Sequence, residues 1–237
     1  MKLFYDLHLH SCLSPCGNND MSPYNLVNMA KLLGYDIIAL TDHNSAGNCE
    51  SAVKIGKEIG ITVVPGMELC TGEEIHNVCL FPTVEKAMEF SRFIRNTMPP
   101  VKNKEEIFGE QLIMDTEDGV LGKEEILLTV ASSVSIDELP ELIKEFDGVC
   151  YPAHIDRQSY SVISALGDFP DTLKVRAFEL TPKADEKEWR ENYPVLADKI
   201  LIRSSDAHYL QNMREAEFTV DLPENSAEAL IGFLKGE

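Results

Sequence analysis

The chain carries six histidines, His8, His10, His43, His76, His154 and His208. Each falls in, or just after, an apolar run that reads as a strand. In Asp6-Leu7-His8-Leu9-His10 two imidazoles stand two residues apart. The period of two turns both to one face of a strand, where they can grip one metal ion. Thr41-Asp42-His43 ends the second run. Alternation turns Asp42 away from His43, so Asp42 suits orienting a ligand better than being one. Gly66-Met67-Glu68 ends the third run, where a carboxylate can bridge two ions. His76 opens the fourth run and Pro152-Ala153-His154 closes the fifth. Ser204-Ser205-Asp206-Ala207-His208 closes the last, with two ligand types two apart. A lone strand-end histidine is usually a satisfied core or surface residue. All six in that position point to one metal centre.

These residues need elements to converge them. Strand candidates are Leu3–His10, Asp36–His43, Ile61–Leu69, Glu74–Phe81, Gly148–His154, Arg176–Thr181 and Ile200–Ser205. Between them lie helical stretches. Ser22–Leu33 has Ser22 at the N-cap, Pro23 at the first helical position and Gly34 just past the end. Cys49–Ile59, Val84–Asn96 and Ser135–Phe146 follow, the last with Ser135 and Glu138 spaced as a capping box. Shorter helices are read around 159–166 and 184–193, and a final one from Asn225 to Leu234. Residues 97–135 break the rhythm and are read as a mainly helical insertion. Strands alternating with helices imply parallel β/α units. Seven strand candidates and no Gly-rich phosphate loop favour an α/β barrel over an open doubly wound sheet. In such a barrel the C-terminal strand ends share one face, where sites are built. The whole chain, 1–237, is read as a single domain.

Acids number 40 against 21 bases, for a net charge of −19. That balance argues against a nucleic-acid partner, because phosphate backbones are held by clustered Lys and Arg. It does not argue against a small anion, since bound cations reverse the sign locally. No apolar run is long enough for a membrane span. The opening residues carry no signal-peptide core, so a cytoplasmic protein is expected. In that compartment the six cysteines are read as free thiols, with Cys70, Cys79 and Cys150 in or beside apolar runs.

The ordered set Asp-x-His-x-His, Thr-Asp-His, Gly-x-Glu, Ala-His and Ser-Asp-Ala-His, running from residue 6 to 208, resembles the PHP (polymerase and histidinol phosphatase) family. The resemblance implies a distorted (β/α)₇ barrel with two to three divalent ions and phosphoesterase chemistry. Carried over by motif, His8, His10, Glu68 and Asp206 would hold the first ion. Glu68, His76 and His154 would hold the second, and His43 and His208 the third. The third site needs one more residue from the first loop. There the chain departs from the family, with Cys16 where relatives often carry His or Asp. A thiolate favours zinc or iron, whereas the histidine–carboxylate sites also accept manganese.

The expected chemistry is hydrolysis of a small-molecule phosphate ester, such as a nucleotide or an amino-alcohol phosphate, by a metal-bridged hydroxide. Glu68, Asp206, His43 and His208 are the catalytic candidates. Arg157, three residues after His154, is placed to hold a substrate phosphate. Arg203 is opposite in parity to Asp206 and His208 and should point away. The rival readings are a nuclease trimming nucleic-acid ends, an amidohydrolase-like C–N hydrolase and a non-catalytic metal-binding module.

Overall fold

The computed structural model describes residues 1–237. Apolar runs buried on both faces form most of the strands, and amphipathic segments form the longer helices between them. In chain order the elements begin with β1 (Lys2–Leu9), α1 (Pro23–Leu32), β2 (Ile37–Leu40), α2 (Cys49–Ile59), β3 (Thr62–Cys70), β4 (His76–Leu80) and α3 (Val84–Arg95). Then come α4 (Glu105–Phe108), β5 (Leu112–Met114), β6 (Val120–Lys123), α5 (Leu139–Leu142) and β7 (Val149–Pro152). The chain ends with α6 (Val162–Leu166), β8 (Ala177–Leu180), α7 (Glu186–Asn192), β9 (Ile200–Arg203), β10 (Thr219–Asp221) and α8 (Ala227–Lys235). The expected cap of α1 forms, with Ser22 Oγ accepting from Asn25 N at 3.2 Å. Ser135 and Glu138 exchange two bonds, at 3.3 and 3.2 Å, but they close a turn ahead of the helix: instead of one helix over Ser135–Phe146, α5 begins at Leu139 and tightens to a 3-10 turn over Ile143–Phe146.

The main sheet runs β10-β1-β2-β3-β4-β7, and β8 pairs with β9 beside it. β8 lies next to β7 and β9 next to β1, so the whole curls into a barrel-like wall. The seven expected strands are β1, β2, β3, β4, β7, β8 and β9. They do not form a uniformly parallel ring. β1, β2 and β3 are parallel, but β4 runs antiparallel to both β3 and β7. Only residues 71–75 join β3 to β4. A parallel neighbour needs a crossover of about a dozen residues, so this link can only be a hairpin.

The insertion also differs from expectation. Residues 97–135 hold the one-turn α4 and the hairpin β5–β6, with little helix. Its turn is set by Asp115, whose carboxylate accepts from Glu117 N and Gly119 N at 2.8 and 2.7 Å. A side chain closing its own turn in this way is what Asp does best. The hairpin is tied to α2 by Asn48, which donates to Leu112 O and accepts from Met114 N.

The core has two parts. Ile38, Leu40, Val63, Cys79, Cys150 and Phe178 face outward into the helices. Leu7, Ala39, Val64, Val78, Tyr151, Ala177 and Ile202 fill the inside. Leu230, Ile231 and Leu234 of α8 join the inner group and close one end. Functional side chains are therefore confined to the other end. No helix is long and apolar enough to cross a membrane.

Candidate metal centre

That open end receives the C-termini of β1, β2, β3, β7, β8 and β9. Because β4 is reversed, its start lies there too, which is why His76 is at a strand beginning. Gly66 permits the close approach of β4, since a Cβ at that position would meet Cys79 O at 2.6 Å. Four residues at the site hold left-handed backbone conformations, His154 (φ 30°), Asn44 (φ 47°), Asp206 (φ 52°) and Tyr160 (φ 56°). Such conformations are unfavourable outside glycine and persist only where the surroundings fix them.

Glu68 is the hub. Its Oε1 lies 2.8 Å from His76 Nδ1, 3.2 Å from His8 Nε2 and 3.2 Å from His154 Nε2. Its Oε2 lies 2.9 Å from His43 Nδ1 and 3.5 Å from His10 Nε2. Asp206 Oδ1 sits 3.0 Å from His10 Nε2, 3.4 Å from His8 Nε2 and 3.5 Å from His208 Nδ1. The structure thus brings all six histidines, Glu68 and Asp206 into one cluster. Three triads have ligand atoms within 4.8 Å of one another: His8, His10 and Glu68; His43, Glu68 and His76; and His10, His43 and His208. His43 therefore sits with both the Glu68–His76 pair and the His208 group. Cys16 belongs to none of these triads. Its Sγ is 3.2 Å from His43 Nε2. Arg157 reaches the cluster, with Nη1 2.6 Å from Asp206 Oδ2. Arg203 points away, pairing with Glu186.

The cluster fits divalent cations. One carboxylate cannot satisfy five imidazoles, having lone pairs for about four contacts. His43 Nδ1, Glu68 Oε2, His154 Nδ1 and Asp206 Oδ1 are buried without a hydrogen-bond partner. Such groups are costly to leave unsatisfied, and ions explain them. Imidazole nitrogen with carboxylate oxygen is a donor set for zinc, manganese or iron.

Electrostatics agrees. Burial pushes the Glu68 carboxyl up, but the charges of His76, His8 and His43 outweigh it and hold it well below the usual carboxylate range. Asp206 is likewise held low, with His8 and His10 overcoming burial. Burial would raise the Cys16 thiol, yet hydrogen bonds with His208 and His43 bring it down to about 6.

Several supporting residues escaped sequence reasoning. Glu179, on β8, places its carboxylate 2.9 and 3.1 Å from His8 Nδ1 and accepts from His154 N at 3.1 Å. It fixes one ligand ring and the left-handed backbone of another. A single acid inside the apolar strand Ala177-Phe178-Glu179-Leu180 was the available signal, because an acid is buried only when paired. Ser14 plays the same part for His10. Its Oγ donates to Asp42 Oδ1 at 2.7 Å and lies 2.9 Å from His10 Nδ1. Asp42 thus orients rather than ligates. Asp6 is buried and accepts from the backbones of His8 and Ser205, while burial raises its carboxyl to about 7. Glu179→Ala is expected to cost roughly 10–100-fold in metal affinity, the usual effect of losing the carboxylate behind a ligand histidine. Calorimetric titration with Mn²⁺ checks this, and unchanged affinity in the folded variant refutes it.

The PHP domain family profile matches residues 6–186. A 5′-3′ exoribonuclease of Haemophilus influenzae is 38% identical over 79 residues, which is 32% of this chain and 28% of that protein. Among solved structures, the lesion-specific endonuclease from Pyrococcus furiosus superposes with a TM-score of 0.71 at 19% identity, covering 100% of this chain and 56% of that one. A putative metal-dependent phosphoesterase from Bifidobacterium adolescentis gives 0.62 at 17% identity, covering 98% of each chain. The chain therefore spans little more than half of the endonuclease, and its match takes in under a third of the exoribonuclease. These two structural likenesses, at such low identity, speak for the fold. A profile match over most of the chain, joined to the histidine–carboxylate cluster at the strand ends, establishes that this protein belongs to the PHP family of metal-dependent hydrolases.

Proposed function

We propose that the protein hydrolyses a phosphate ester of a small molecule. The observation that carries this reading is the shape and lining of the cavity over the cluster. It measures about 160 Å³ and is walled by His43, Glu68, His76, His154, Arg157 and Asp206, with Tyr160 and His208 at its sides. That volume suits a phosphoryl group with little else. The ligands would be distributed as the family motifs imply. His8, His10, Glu68 and Asp206 would hold one ion, and Glu68, His76 and His154 a second. His43, His208 and Cys16 would hold a third. When bound, such ions acidify water and neutralise charge on a phosphate.

The chain's own groups do the rest. Arg157, with its side chain 42% exposed, is free enough to leave Asp206 and take two phosphate oxygens. Tyr160 stacks on His76 with ring centroids 4.5 Å apart and shields that ligand from water. His208 rides above the ordinary histidine value, because Cys16 and Asp206 outweigh its burial. Its ring can give a proton to the leaving oxygen when the third ion is not bound there.

A second reading is a nuclease. The exoribonuclease relative and the endonuclease neighbour favour it, and they count against the expectation that nucleic acid is not a partner. The net charge of −19 counts the other way. Manganese-loaded protein assayed on phosphomonoesters, nucleotides, cyclic and bis-phosphates and end-labelled oligonucleotides separates the two. The small-molecule reading expects the highest kcat/KM on a small ester. Faster trimming of oligonucleotides overturns it.

The third position has its own test. With Cys16 as a ligand it should take zinc or iron, because thiolate is soft. Cys16→Ala should empty it, and Cys16→Asp should move it toward manganese. Element-specific anomalous scattering reads the outcome, and an unchanged third ion in Cys16→Ala removes Cys16 from the ligand set.

A further inference from the structure

A second cavity of about 390 Å³ adjoins the metal pocket and shares Arg157 and Asp206 with it. Its far side is formed by Lys183, Gln211, Asn212 and Arg214. Lys183 lies just after β8, and the other three lie in and after the short turn Leu210–Asn212 that follows β9. Both loops leave the C-terminal ends of neighbouring parallel strands, where barrel folds place ligand contacts. Three of the lining residues are cationic and one, Asp206, is acidic. Asp206 is already committed, to Arg157 through Oδ2 and to the histidines through Oδ1. Lys183 and Arg214 form no ion pair. In a chain whose acids outnumber its bases by 40 to 21, this is a local reversal of sign. No aromatic side chain lines the cavity and Pro182 is its one apolar residue, so it offers little for a base or another flat apolar group to pack on. Its chemistry is that of an anion held by cations and amide groups.

We infer that this trough is a second anion subsite. The substrate is a phosphate ester bearing another anionic group, phosphate or carboxylate, a short linker away on the far side of Arg157. The inference rests on the phosphoesterase reading and narrows it to a substrate class. Lys183 and Arg214 are its specificity-determining residues.

Non-hydrolysable probes test it on the manganese-loaded protein by calorimetry. Propane-1,3-bisphosphonate and 3-phosphonopropanoate carry the second anion, and propylphosphonate lacks it. The better of the two doubly charged probes is expected to bind roughly tenfold or more tightly than propylphosphonate, the worth of one or two charge-assisted contacts. Whichever wins identifies the second group as phosphate-like or carboxylate. In Lys183→Ala/Arg214→Ala the ratio should fall to about one. Both side chains are exposed, so folding should be unaffected. Lys57→Ala, on a different groove, should keep the ratio. Equal binding of all three probes, or a ratio that survives in the double variant, overturns the subsite. Turnover separates the two ideas. If propyl phosphate and propane-1,3-diol bisphosphate are both inert while the binding ratio holds, the phosphoesterase reading fails and the subsite stands. If both are hydrolysed equally and the probes bind alike, the subsite fails and the phosphoesterase reading stands.

Discussion

Glu68→Ala is expected to lower phosphate-ester hydrolysis by roughly 10³-fold or more, the scale on which central charge-stabilising groups act. Five histidine nitrogens face this one carboxylate, and both of its oxygens are used. Its loss should remove at least one ion per chain by elemental analysis. It should also let the raised pKa of His43 fall, because the Glu68 charge is the main force holding that proton against burial. Histidine NMR titration of the ion-free variant reads this directly. Glu68→Gln preserves shape and removes charge, so it should lose activity to a similar degree while keeping the fold. Wild-type turnover with normal metal content in either variant would deny Glu68 a bridging role.

The second large effect is the coupling of metal, protons and stability. In the ion-free protein, burial lowers the His8 pKa, but the charges of Glu179, Asp206 and Glu68 carry it well above the ordinary value. His43 is raised by Glu68 and Cys16 in the same way, and His208 more modestly. These histidines bind protons more tightly folded than unfolded. Their stabilisation is fully present below about pH 6.5, the unfolded value, and is lost as pH rises through the folded values. Metal binding runs the opposite way, because each ligand must first give up its proton. The stability advantage of the metal-loaded over the ion-free protein should therefore be larger at pH 8 than at pH 6. At pH 8, with ion near 1,000 times its Kd, the linkage contributes about 4 kcal/mol. For a chain of this size that is a Tm gap of about 10 °C. Thermal melts with and without chelator at both pH values check it. A gap of the same size at pH 6 and pH 8 would refute the proton coupling.

Much of this site was legible in the amino-acid sequence because it is written locally. Histidines two apart on a strand share a face, and strand-end motifs in a barrel share a rim. So His8, His10, His43, Glu68, His76, His154, Asp206 and His208 can be gathered from the sequence alone. The helix cap at Ser22 and the reciprocal Ser135–Glu138 bonds are readable for the same reason, since they depend on three or four consecutive residues. The short link 71–75 also contained the reversal of β4, but the repeating strand–helix rhythm masked it.

Other features depend on residues far apart in the chain, and only the folded molecule decides them. Glu179 acquires meaning by lying 2.9 Å from His8, 171 positions away. The β5–β6 hairpin is held by contacts to Asn48 and Cys12 rather than by a strong strand pattern of its own. Lys183 and Arg214 look like ordinary surface cations until β8 and β9 bring their loops to one cavity beside Arg157. Sequence sets which residues can ligate and which face each one takes, because those follow from residue chemistry and backbone period. Which distant groups orient the ligands, and which anion can lie beside them, is set by strand pairing, because only pairing converts separation along the chain into proximity in space.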